Sequence, residues 1–394
     1  MNAKINKGGA QAPLLGSKLT LNIEKLAVGG AGVARHEGMV IFVPQVAPNE
    51  EVLVEITLVK KNFAEAKLLR VLRASPARRT PPCPVAERCG GCNWQHINED
   101  EQGRQKQILV LETLQKFNRG VEFEYLPIKA SPRSLRYRNR IQPKFKNGRF
   151  GFFARNSHEI VEVDDCLITE EILTDKFPEV RAWAAQKNAK DLQRLEMYIA
   201  DDGLVRHGLI TDDDDGIGFS QVNRFQNDDL VKTALQWAGD DKYQKVFDLY
   251  AGSGNFTFPL ADKYSQSQVI GVELNPKLVE RGQQRAGSNS RVQFFRSDVD
   301  SYISKAPISG NDLVVLDPPR AGASELIMKK LAEMKPKKII YISCHPVSLA
   351  RDLQWFFAWT QKLGAKAQLV RVQTFEMFPQ TDHVETIAEL RVDS

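Results

Sequence analysis

The stretch Asp248-Leu-Tyr-Ala-Gly-Ser-Gly-Asn255 decides the fold of the larger part of this 394-residue chain. It follows the apolar pair Val246-Phe247, so it is predicted to form the turn between a buried strand and the next helix. Glycines in such a turn let the backbone approach a ligand that a side chain would block. No third glycine follows before Phe258, so the dinucleotide pattern G-x-G-x-x-G is not met and a pyrophosphate ligand is not favoured.

Outward from this turn, from about residue 220, apolar runs alternate with helical stretches. This alternation predicts a mostly parallel sheet with helices on both faces, which is a doubly wound α/β domain. The predicted strands cover residues 246–250, 269–272, 292–295, 313–316 and 339–342.

Carboxylates follow three of these strands. Glu273 can accept hydrogen bonds from both hydroxyls of a ribose, and Asp298 can accept one from an adenine amino group. Asp317 follows the fourth strand in the segment Asp317-Pro-Pro-Arg320. Polar residues at successive strand ends make S-adenosylmethionine the leading ligand, although each carboxylate could instead cap a helix.

Cys344 follows the last apolar run and precedes His345 and Pro346. A free cysteine is either a small buried apolar residue or a nucleophile. A helix beginning directly after the thiol would lower its pKa, which is the prediction made here. His345 receives no role beyond shaping the turn.

The other four cysteines are Cys83, Cys89, Cys92 and Cys166. Five cysteines, an odd number, argue against a disulfide framework and for metal binding or catalysis. Four thiolates suit either a 4Fe-4S cluster or tetrahedral zinc. With four protein ligands, the iron would have no open position for radical cleavage of S-adenosylmethionine.

Residues 18–72 read as short strands separated by turns, which predicts a small barrel of the OB type. Prolines between 76 and 84 mark its end, and residues 99–118 are predicted to be helical with an apolar stripe at Ile108, Leu111, Leu114 and Phe117. Strands are predicted again at 137–145, 150–153 and 160–163, with a turn at 146–148.

The net charge is +5, with basic residues concentrated at 67–79 and from Arg133 to Arg140, and an acidic run at 212–215. This distribution permits a nucleic-acid partner, and the basic strand from Arg133 to Arg140 is the predicted RNA contact. No window of about 18 apolar residues and no apolar signal core is present, so a cytoplasmic protein is expected.

Five motifs occur in the order found in the RNA uracil-5-methyltransferase family, which the chain resembles over its whole length. They are Phe219-Ser-Gln-Val-Asn223, the turn 248–255, Asp317-Pro-Pro-Arg320, Ser343-Cys344, and Phe378-Pro-Gln-Thr-Asp-His-Val-Glu385. The resemblance implies a Rossmann-like S-adenosylmethionine-dependent methyltransferase domain that modifies carbon 5 of a uridine in RNA. The Asp-Pro-Pro-Arg form, in place of Asn-Pro-Pro, also favours methylation at carbon over nitrogen.

The resemblance also implies residue roles. Cys344 attacks carbon 6 of the uracil, Glu385 removes the carbon-5 proton, and His383 shapes the site. The residues that contact the cofactor are Gln221, Tyr250, Asn255, Glu273, Asp298 and Asp317. The spacing of Cys83, Cys89, Cys92 and Cys166 is similar to that of cluster-bearing family members, which favours a 4Fe-4S cluster over zinc.

The same resemblance implies three domains. They are a TRAM-like OB barrel at 14–74, which resembles the RNA-binding TRAM module through Ala27-Val-Gly-Gly-Ala-Gly-Val-Ala-Arg35, a central iron-sulfur and RNA-binding α+β domain at 75–218, and the methyltransferase domain at 219–394. The expected partner is ribosomal RNA or transfer RNA, and the expected state is a monomer. Two alternatives remain at this point: a cytosine-5 RNA methyltransferase, and a non-catalytic iron-sulfur RNA-binding protein.

Overall fold

The computed structural model describes residues 13–187, 191–210 and 221–393, so the acidic run at 212–215 lies outside the described residues. The chain divides into two compact units. The first contains the described residues up to Gln105 with Phe153–Glu159 and Gln380–Asp382; the second contains Lys106–Phe152, Ile160–Pro379 and the residues from His383 onward. Across the described ranges, no helix is long and apolar enough to cross a membrane.

The first unit contains a six-stranded sheet in the order β1-β5-β6-β4-β3-β2. Alternate residues of β5, Val52, Val54 and Ile56, are buried in its core, as expected for strands with one face covered. The strands predicted for 18–72 are confirmed. They are β1 (Lys18–Asn22), β2 (Lys25–Leu26), β3 (Gly32–His36), β4 (Met39–Val43), β5 (Glu51–Val59) and β6 (Phe63–Arg73).

Helix α1 (Glu99–Phe117) forms where the sequence predicted it. From Lys106 onward the helix belongs to the second unit, and there Lys106, Val110 and Leu114 are buried. These residues are four positions apart and therefore share one face of the helix. The predicted stripe is wrong for Ile108 and Leu111, which are only partly buried. The buried Lys106 hid the true period, because a lysine does not read as a core residue.

A smaller sheet of the second unit has the order β11-β10-β9-β12-β13, with β8 paired to β12. Asn147 and Gly148 both adopt positive φ, 50° and 78°, in the predicted turn between β9 and β10. The elements are β8 (Arg140–Ile141), β9 (Lys144–Lys146), β10 (Arg149–Phe153), β11 (Ile160–Glu162), α2 (Glu171–Thr174), α3 (Phe177–Lys187), β12 (Gln193–Ile199) and β13 (Val205–Leu209).

The large sheet of the second unit has eight strands in the order β16-β15-β14-β17-β18-β20-β19-β7. Strands β14 to β18 are parallel, and β20 runs antiparallel to both β18 and β19. The five predicted strands of this sheet are confirmed. The strands are β7 (Glu124–Lys129), β14 (Lys245–Leu249), β15 (Gln268–Glu273), β16 (Val292–Arg296), β17 (Leu313–Leu316), β18 (Lys338–Ser343), β19 (Lys366–Phe375) and β20 (Glu385–Asp393).

Helices cover both faces of this sheet. Along β17, Val314 and Leu316 belong to one apolar cluster while Leu313 and Val315 belong to another, so the strand is buried on both sides. This packing holds the strand ends in place. The helices are α4 (Arg224–Ala238), α5 (Thr257–Lys263), α6 (Pro276–Ala286), α7 (Val299–Ile303), α8 (Glu325–Met334) and α9 (Pro346–Lys362).

Candidate active site

The carboxyl ends of the parallel strands meet at one edge of the large sheet. Residues that follow these ends are Tyr250 after β14, Glu273 at the end of β15, Asp298 after β16, Asp317 after β17 and Cys344 after β18. Ligands of doubly wound sheets bind at this edge. The sheet topology therefore brings these predicted site residues to a common edge.

The turn after β14 has an unusual backbone that Glu273 supports. Tyr250, Gly252 and Gly254 have φ of 67°, 57° and 101°. A Cβ atom added to Gly254 would lie 2.4 Å from the Phe258 ring, so the position needs glycine on both grounds. The backbone N–H of Gly252 donates to Glu273 Oε2 over 3.0 Å, and the N–H of Asn275 donates to Oε1 over 2.8 Å. Glu273 thus fixes the turn, and each oxygen keeps a lone pair for a ribose hydroxyl.

Asp298 caps helix α7. Its carboxylate accepts from the N–H of Ser301 over 2.8 Å, and this bond lowers the pKa of Asp298. The side chain is exposed, so its other oxygen faces solvent at the strand edge. The capping role that the sequence left open is therefore real, and it leaves an acceptor available to a ligand.

Asn255 and Gln221 are half-buried. The Asn255 amide exchanges hydrogen bonds with Asn227. Gln221 does not follow a strand of the sheet but lies in the segment before α4. Its backbone carbonyl accepts from Asn139 Nδ2 over 3.3 Å. Its Oε1 is buried without a hydrogen-bond partner in the described part of the chain.

Cys344 and Glu385 face each other across two neighbouring strands. The antiparallel register of β18 and β20 pairs Ser343 with Thr386, so Cys344 and Glu385 occupy the next position outward. Glu385 is only 2% exposed, and its Oε1 has no hydrogen-bond partner among the described residues. Burial and the nearby Asp317 carboxyl raise the pKa of Glu385 well above its usual value.

The predicted lowering of the Cys344 pKa is wrong. Burial raises the pKa of Cys344 to about 12, with further contributions from the charges of Glu385 and Asp317. Arg320 acts in the opposite direction but is the weaker influence. The beginning of helix α9 therefore does not lower the pKa of Cys344 enough to offset burial and the two carboxyls of Glu385 and Asp317.

His345 has a role that the sequence left unassigned. It is the N-cap of α9, where its Nδ1 accepts from the N–H of Ser348 over 3.3 Å and Pro346 occupies the first turn. The Ser348 hydroxyl donates to the carbonyl of Arg320 over 2.9 Å. The segments after β17 and β18 are thereby connected.

Asp248 was not assigned a role from the sequence. It is completely buried at the end of β14, where Oδ2 accepts from the Thr257 hydroxyl over 2.5 Å and Oδ1 has no partner among the described residues. Burial raises its pKa to about 7. Burial and the neighbouring Asp248 raise the pKa of Asp317 to about 7 as well. A charged residue inside an apolar strand was the available signal.

The four remaining cysteines are partly buried and form no disulfides. Cys83, Cys89 and Cys92 lie in the first unit, and Cys166 lies in the second. In the first unit, the N–H of Gly91 donates to Cys89 Sγ over 3.4 Å. Among the described residues, no group of three or more His, Cys, Asp or Glu side chains is placed to hold a metal ion.

The segment from Arg133 to Arg140, predicted as a basic strand, is a strand only at Arg140, and its arginines differ in their partners. Arg138 donates to the carbonyl of Arg140 over 2.9 Å. Arg136 forms two hydrogen bonds with Asp165, at 2.6 and 2.7 Å, and Arg140 is paired with Glu196. Arg133 is exposed and lies 4.0 Å from the centre of the Phe225 ring, with no carboxylate partner within the described ranges. Arg133 therefore offers the freest charge of this segment.

The sheet topology and its cofactor edge define an S-adenosylmethionine-dependent methyltransferase fold. Family models match a TRAM domain at residues 14–69, a methyltransferase domain at 246–317 and a tRNA (uracil-5-)-methyltransferase domain at 309–391. The chain has the fold of the Pyrococcus abyssi tRNA (uracil-54, C5)-methyltransferase, crystallised with S-adenosyl-L-homocysteine. The TM-score is 0.71 at 23% identity, over 94% of this chain and 99% of that one.

Two relatives are similar to this chain over nearly its whole length. An RNA methyltransferase of Bdellovibrio bacteriovorus, described as uncharacterized, is 75% identical over the full length of both chains. The 23S rRNA (uracil(1939)-C(5))-methyltransferase RlmD of Shewanella piezotolerans is 32% identical over 95% of this chain and 96% of its own.

The chain belongs to the RNA uracil-5-methyltransferase family and is an S-adenosylmethionine-dependent RNA (uracil-5-)-methyltransferase. The resemblance found in the sequence is confirmed. The cytosine-5 and non-catalytic alternatives are therefore not retained.

Proposed function

We propose that this enzyme methylates carbon 5 of a uridine in 23S rRNA through a covalent bond between Cys344 and carbon 6. The observation that carries the mechanism is the register of β18 and β20, in which Ser343 pairs with Thr386, so that Cys344 and Glu385 follow at the same edge of the sheet, and the charges of Glu385 and Asp317 both act on Cys344. The rRNA target is supported by the relatives named as 23S rRNA methyltransferases, which match along nearly the whole chain.

Carbon 5 of uracil is a poor nucleophile, and addition at carbon 6 changes this. Cys344 must first lose its thiol proton, because the thiolate is the nucleophile. When the thiolate sulfur bonds to carbon 6, the electron pair of the double bond moves toward carbon 5 and the adjoining carbonyl, so carbon 5 becomes nucleophilic. S-adenosylmethionine, when bound, supplies the methyl group that carbon 5 receives. Glu385 then accepts the proton from carbon 5, the double bond re-forms, and the sulfur leaves carbon 6 with its electron pair.

The side chains at the cofactor edge are chemically suited to bind S-adenosylmethionine. Glu273 would bind the ribose hydroxyls, Asp298 the adenine amino group, and Tyr250 would pack against the adenosine. Asn255, Asp317 and Gln221 would complete the contacts. The free acceptors described above, on Glu273, Asp298 and Gln221, support this assignment.

Trapping on 5-fluorouridine-substituted RNA tests the covalent step. In 5-fluorouridine, fluorine takes the place of the hydrogen that carbon 5 normally loses as a proton, and fluorine cannot leave in that way. The bond between Cys344 and carbon 6 should therefore persist as an RNA–protein adduct that survives denaturing electrophoresis. We expect the adduct with the wild-type enzyme and none with Cys344→Ser. A stable adduct on Cys344→Ser would overturn the assignment of the nucleophile.

Separate incubations with two kinds of RNA test the target. Purified enzyme and tritiated S-adenosylmethionine are incubated with 23S rRNA or bulk tRNA from cells that lack the enzyme. Label is expected in 23S rRNA. Label confined to tRNA would reject the rRNA assignment while leaving the uracil-5 activity intact.

We further propose that Cys83, Cys89, Cys92 and Cys166 bind a 4Fe-4S cluster. Their number and spacing support this, as does the N–H donated to Cys89 Sγ, a contact that stabilises thiolate sulfur. The described residues do not show a preformed metal site. Zinc is the alternative outcome. Anaerobic purification should give about four irons and four sulfides per chain, and Cys89→Ser should lose them.

Four smaller assignments remain predictions of the sequence. The six-stranded sheet of the first unit is expected to close as a TRAM-like barrel that contacts RNA, and the enzyme is expected to act in the cytoplasm as a monomer. The domain limits at 74 and 218 are kept as proposals.

A further inference from the structure

Asn227 and Asn255 form a reciprocal pair of side-chain amides. Asn227 Nδ2 donates to Asn255 Oδ1 over 2.9 Å, and Asn255 Nδ2 donates to Asn227 Oδ1 over 3.0 Å. Two hydrogen bonds between planar amides restrain the position and the plane of the Asn255 side chain. They use one lone pair and one N–H of that amide, so one lone pair and one N–H remain.

The helix that carries Asn227 is itself firmly anchored. Asn223 caps α4 by accepting from the N–H of Gln226, while its Nδ2 donates to the carbonyl of Met377 over 3.1 Å. Gln226 Nε2 donates to the carbonyl of Lys129 over 2.9 Å, and farther along the helix Leu230 is completely buried. Asn227 thus projects from a helix start that is tied to two neighbouring segments.

Asn255 lies in the part of the site that most needs such support. It follows Gly252 and Gly254, whose positive φ values leave the turn dependent on contacts from other segments. Without a partner, the terminal torsion of an asparagine is broad, so the plane of its amide would vary. A ligand contact that depends on the plane of this amide would then be lost in part of the molecules.

We infer that Asn227 is a positioning residue that holds the Asn255 amide in the position and plane in which it meets S-adenosylmethionine. The inference rests on the proposed cofactor role of Asn255. Asn227 acts through Asn255 and needs no contact with the cofactor itself. Binding of the adenosyl cofactor should therefore depend on the ability of residue 227 to donate and accept hydrogen bonds together.

The variant Asn227→Asp separates this role from simple packing. An ionised carboxylate has the shape of the amide but only accepts, so one of its oxygens would face Asn255 Oδ1 without a proton between them. A protonated carboxyl both donates and accepts, and would restore the pair. Affinity of the variant should thus recover as the pH falls, which a packing defect would not do.

The measurement is the Kd of S-adenosyl-L-homocysteine by calorimetry, for the full-length wild type and each variant from pH 4 to pH 8. The quantity compared is the ratio of variant to wild-type Kd at each pH, which removes the wild type's own pH dependence. We expect Asn227→Asp to bind about tenfold more weakly at pH 8, which corresponds to the loss of roughly one hydrogen bond, and its ratio to fall as the pH approaches the ordinary aspartate pKa of about 4.

Asn311→Asp is the matched control, because it makes the same change at an exposed asparagine before the amino end of β17, at the opposite edge of the sheet. Its ratio should stay near one at every pH. Asn227→Ala, which removes both hydrogen bonds, should show a weakened affinity that does not recover in acid. If that variant fails to fold, Asn227→Asp still decides the question.

A pH-independent ratio for Asn227→Asp, or a ratio of one at pH 8, would overturn the inference. An Asn255→Ala variant that binds the ligand like the wild type would overturn it too, by removing its basis. Methylation of RNA by the wild-type enzyme is measured separately. Failure of that activity rejects the proposed target, whereas the binding data alone judge Asn227.

Discussion

Cys344 is surrounded by groups that keep its thiol protonated. The side chain is partly buried beside Glu385 and Asp317, and burial is the largest influence on its pKa. The thiolate is the reactive form, so a pKa near 12 leaves only a small fraction reactive at neutral pH. We infer that Cys344 is an unreactive thiol in the free enzyme. A cationic ligand bound near Cys344, at the carboxyl ends of the parallel strands, would favour the thiolate.

Alkylation of Cys344 tests this electrostatic account. Because thiolate increases about tenfold per pH unit below the pKa, the rate of reaction with iodoacetamide should rise from pH 7 to pH 10 without a plateau. Asp317→Asn removes a neighbouring charge that raises this pKa, so alkylation at pH 8.5 should be several-fold faster. Peptide-resolved mass spectrometry measures Cys344 alone, with the exposed Asp262→Asn as control. A plateau below pH 8 in the wild type would contradict the raised pKa.

His345 offers a prediction about stability. Its imidazole caps α9, and replacing a good cap by alanine costs about 0.5–2 kcal/mol. Thermal unfolding of His345→Ala should therefore occur at a lower temperature than in the wild type. Asparagine is a strong N-cap, so His345→Asn should retain most of the stability. Equal losses in both variants would show that the ring does more than cap the helix.

At the scale of elements, α1 and the segment after β19 are joined by a buried ion pair. Lys106 is completely buried, forms an ion pair with Glu376 and donates to the carbonyl of Phe378 over 3.0 Å. Phe378 and Glu376 belong to the chain that leads from β19 toward Glu385. The pair therefore fixes the approach to the proposed base.

Breaking this pair should cost more than replacing it. Lys106→Ala removes the ammonium group that is paired with the buried Glu376 carboxylate, for which we expect about 3–5 kcal/mol of destabilisation. The double variant Lys106→Met and Glu376→Met removes both charges and should regain much of the loss. Denaturant unfolding followed by tryptophan fluorescence compares them. A double variant that is less stable than the single one would contradict the argument.

At the scale of the whole molecule, the basic strand predicted to contact RNA does not act as one patch. Carboxylates pair with Arg136 and Arg140, whereas Arg133 stacks on Phe225 with its charge exposed. A paired arginine gains little from a phosphate because its charge is already compensated. Arg133 is consequently the arginine of this segment that we expect to contact the RNA backbone.

Salt titrations of RNA binding distinguish these arginines. Arg133→Ala should weaken binding and reduce the slope of log K against log salt by roughly one phosphate contact. Arg136→Ala is the matched control, and its slope should stay near that of the wild type. Equal effects of the two substitutions would mean that the ion pair with Asp165 opens in the complex.

Much of the methyltransferase fold could be read from the chain. Strands β14 to β18 were predictable because strands buried on both faces are continuous apolar runs, and the glycine turn at 252–254 marked the ligand edge. Strands β7, β19 and β20 of this sheet were not predicted. Strand β7 is short, contains Pro127 and pairs only with β19 at the edge of the sheet, so it carries little local signal.

The sequence by itself determined the five parallel strands, the helix at 99–117, the glycine turn at the ligand edge, and the family. These follow from local patterns: apolar periodicity, glycine turns and motif order are each written within a few adjacent residues. Only the tertiary structure decided that Cys344 faces Glu385, that its pKa is raised, that His345 caps α9, and that Asn227 holds Asn255. The reason is physical: burial, nearby charge and side-chain pairing depend on residues that folding brings together from distant parts of the chain.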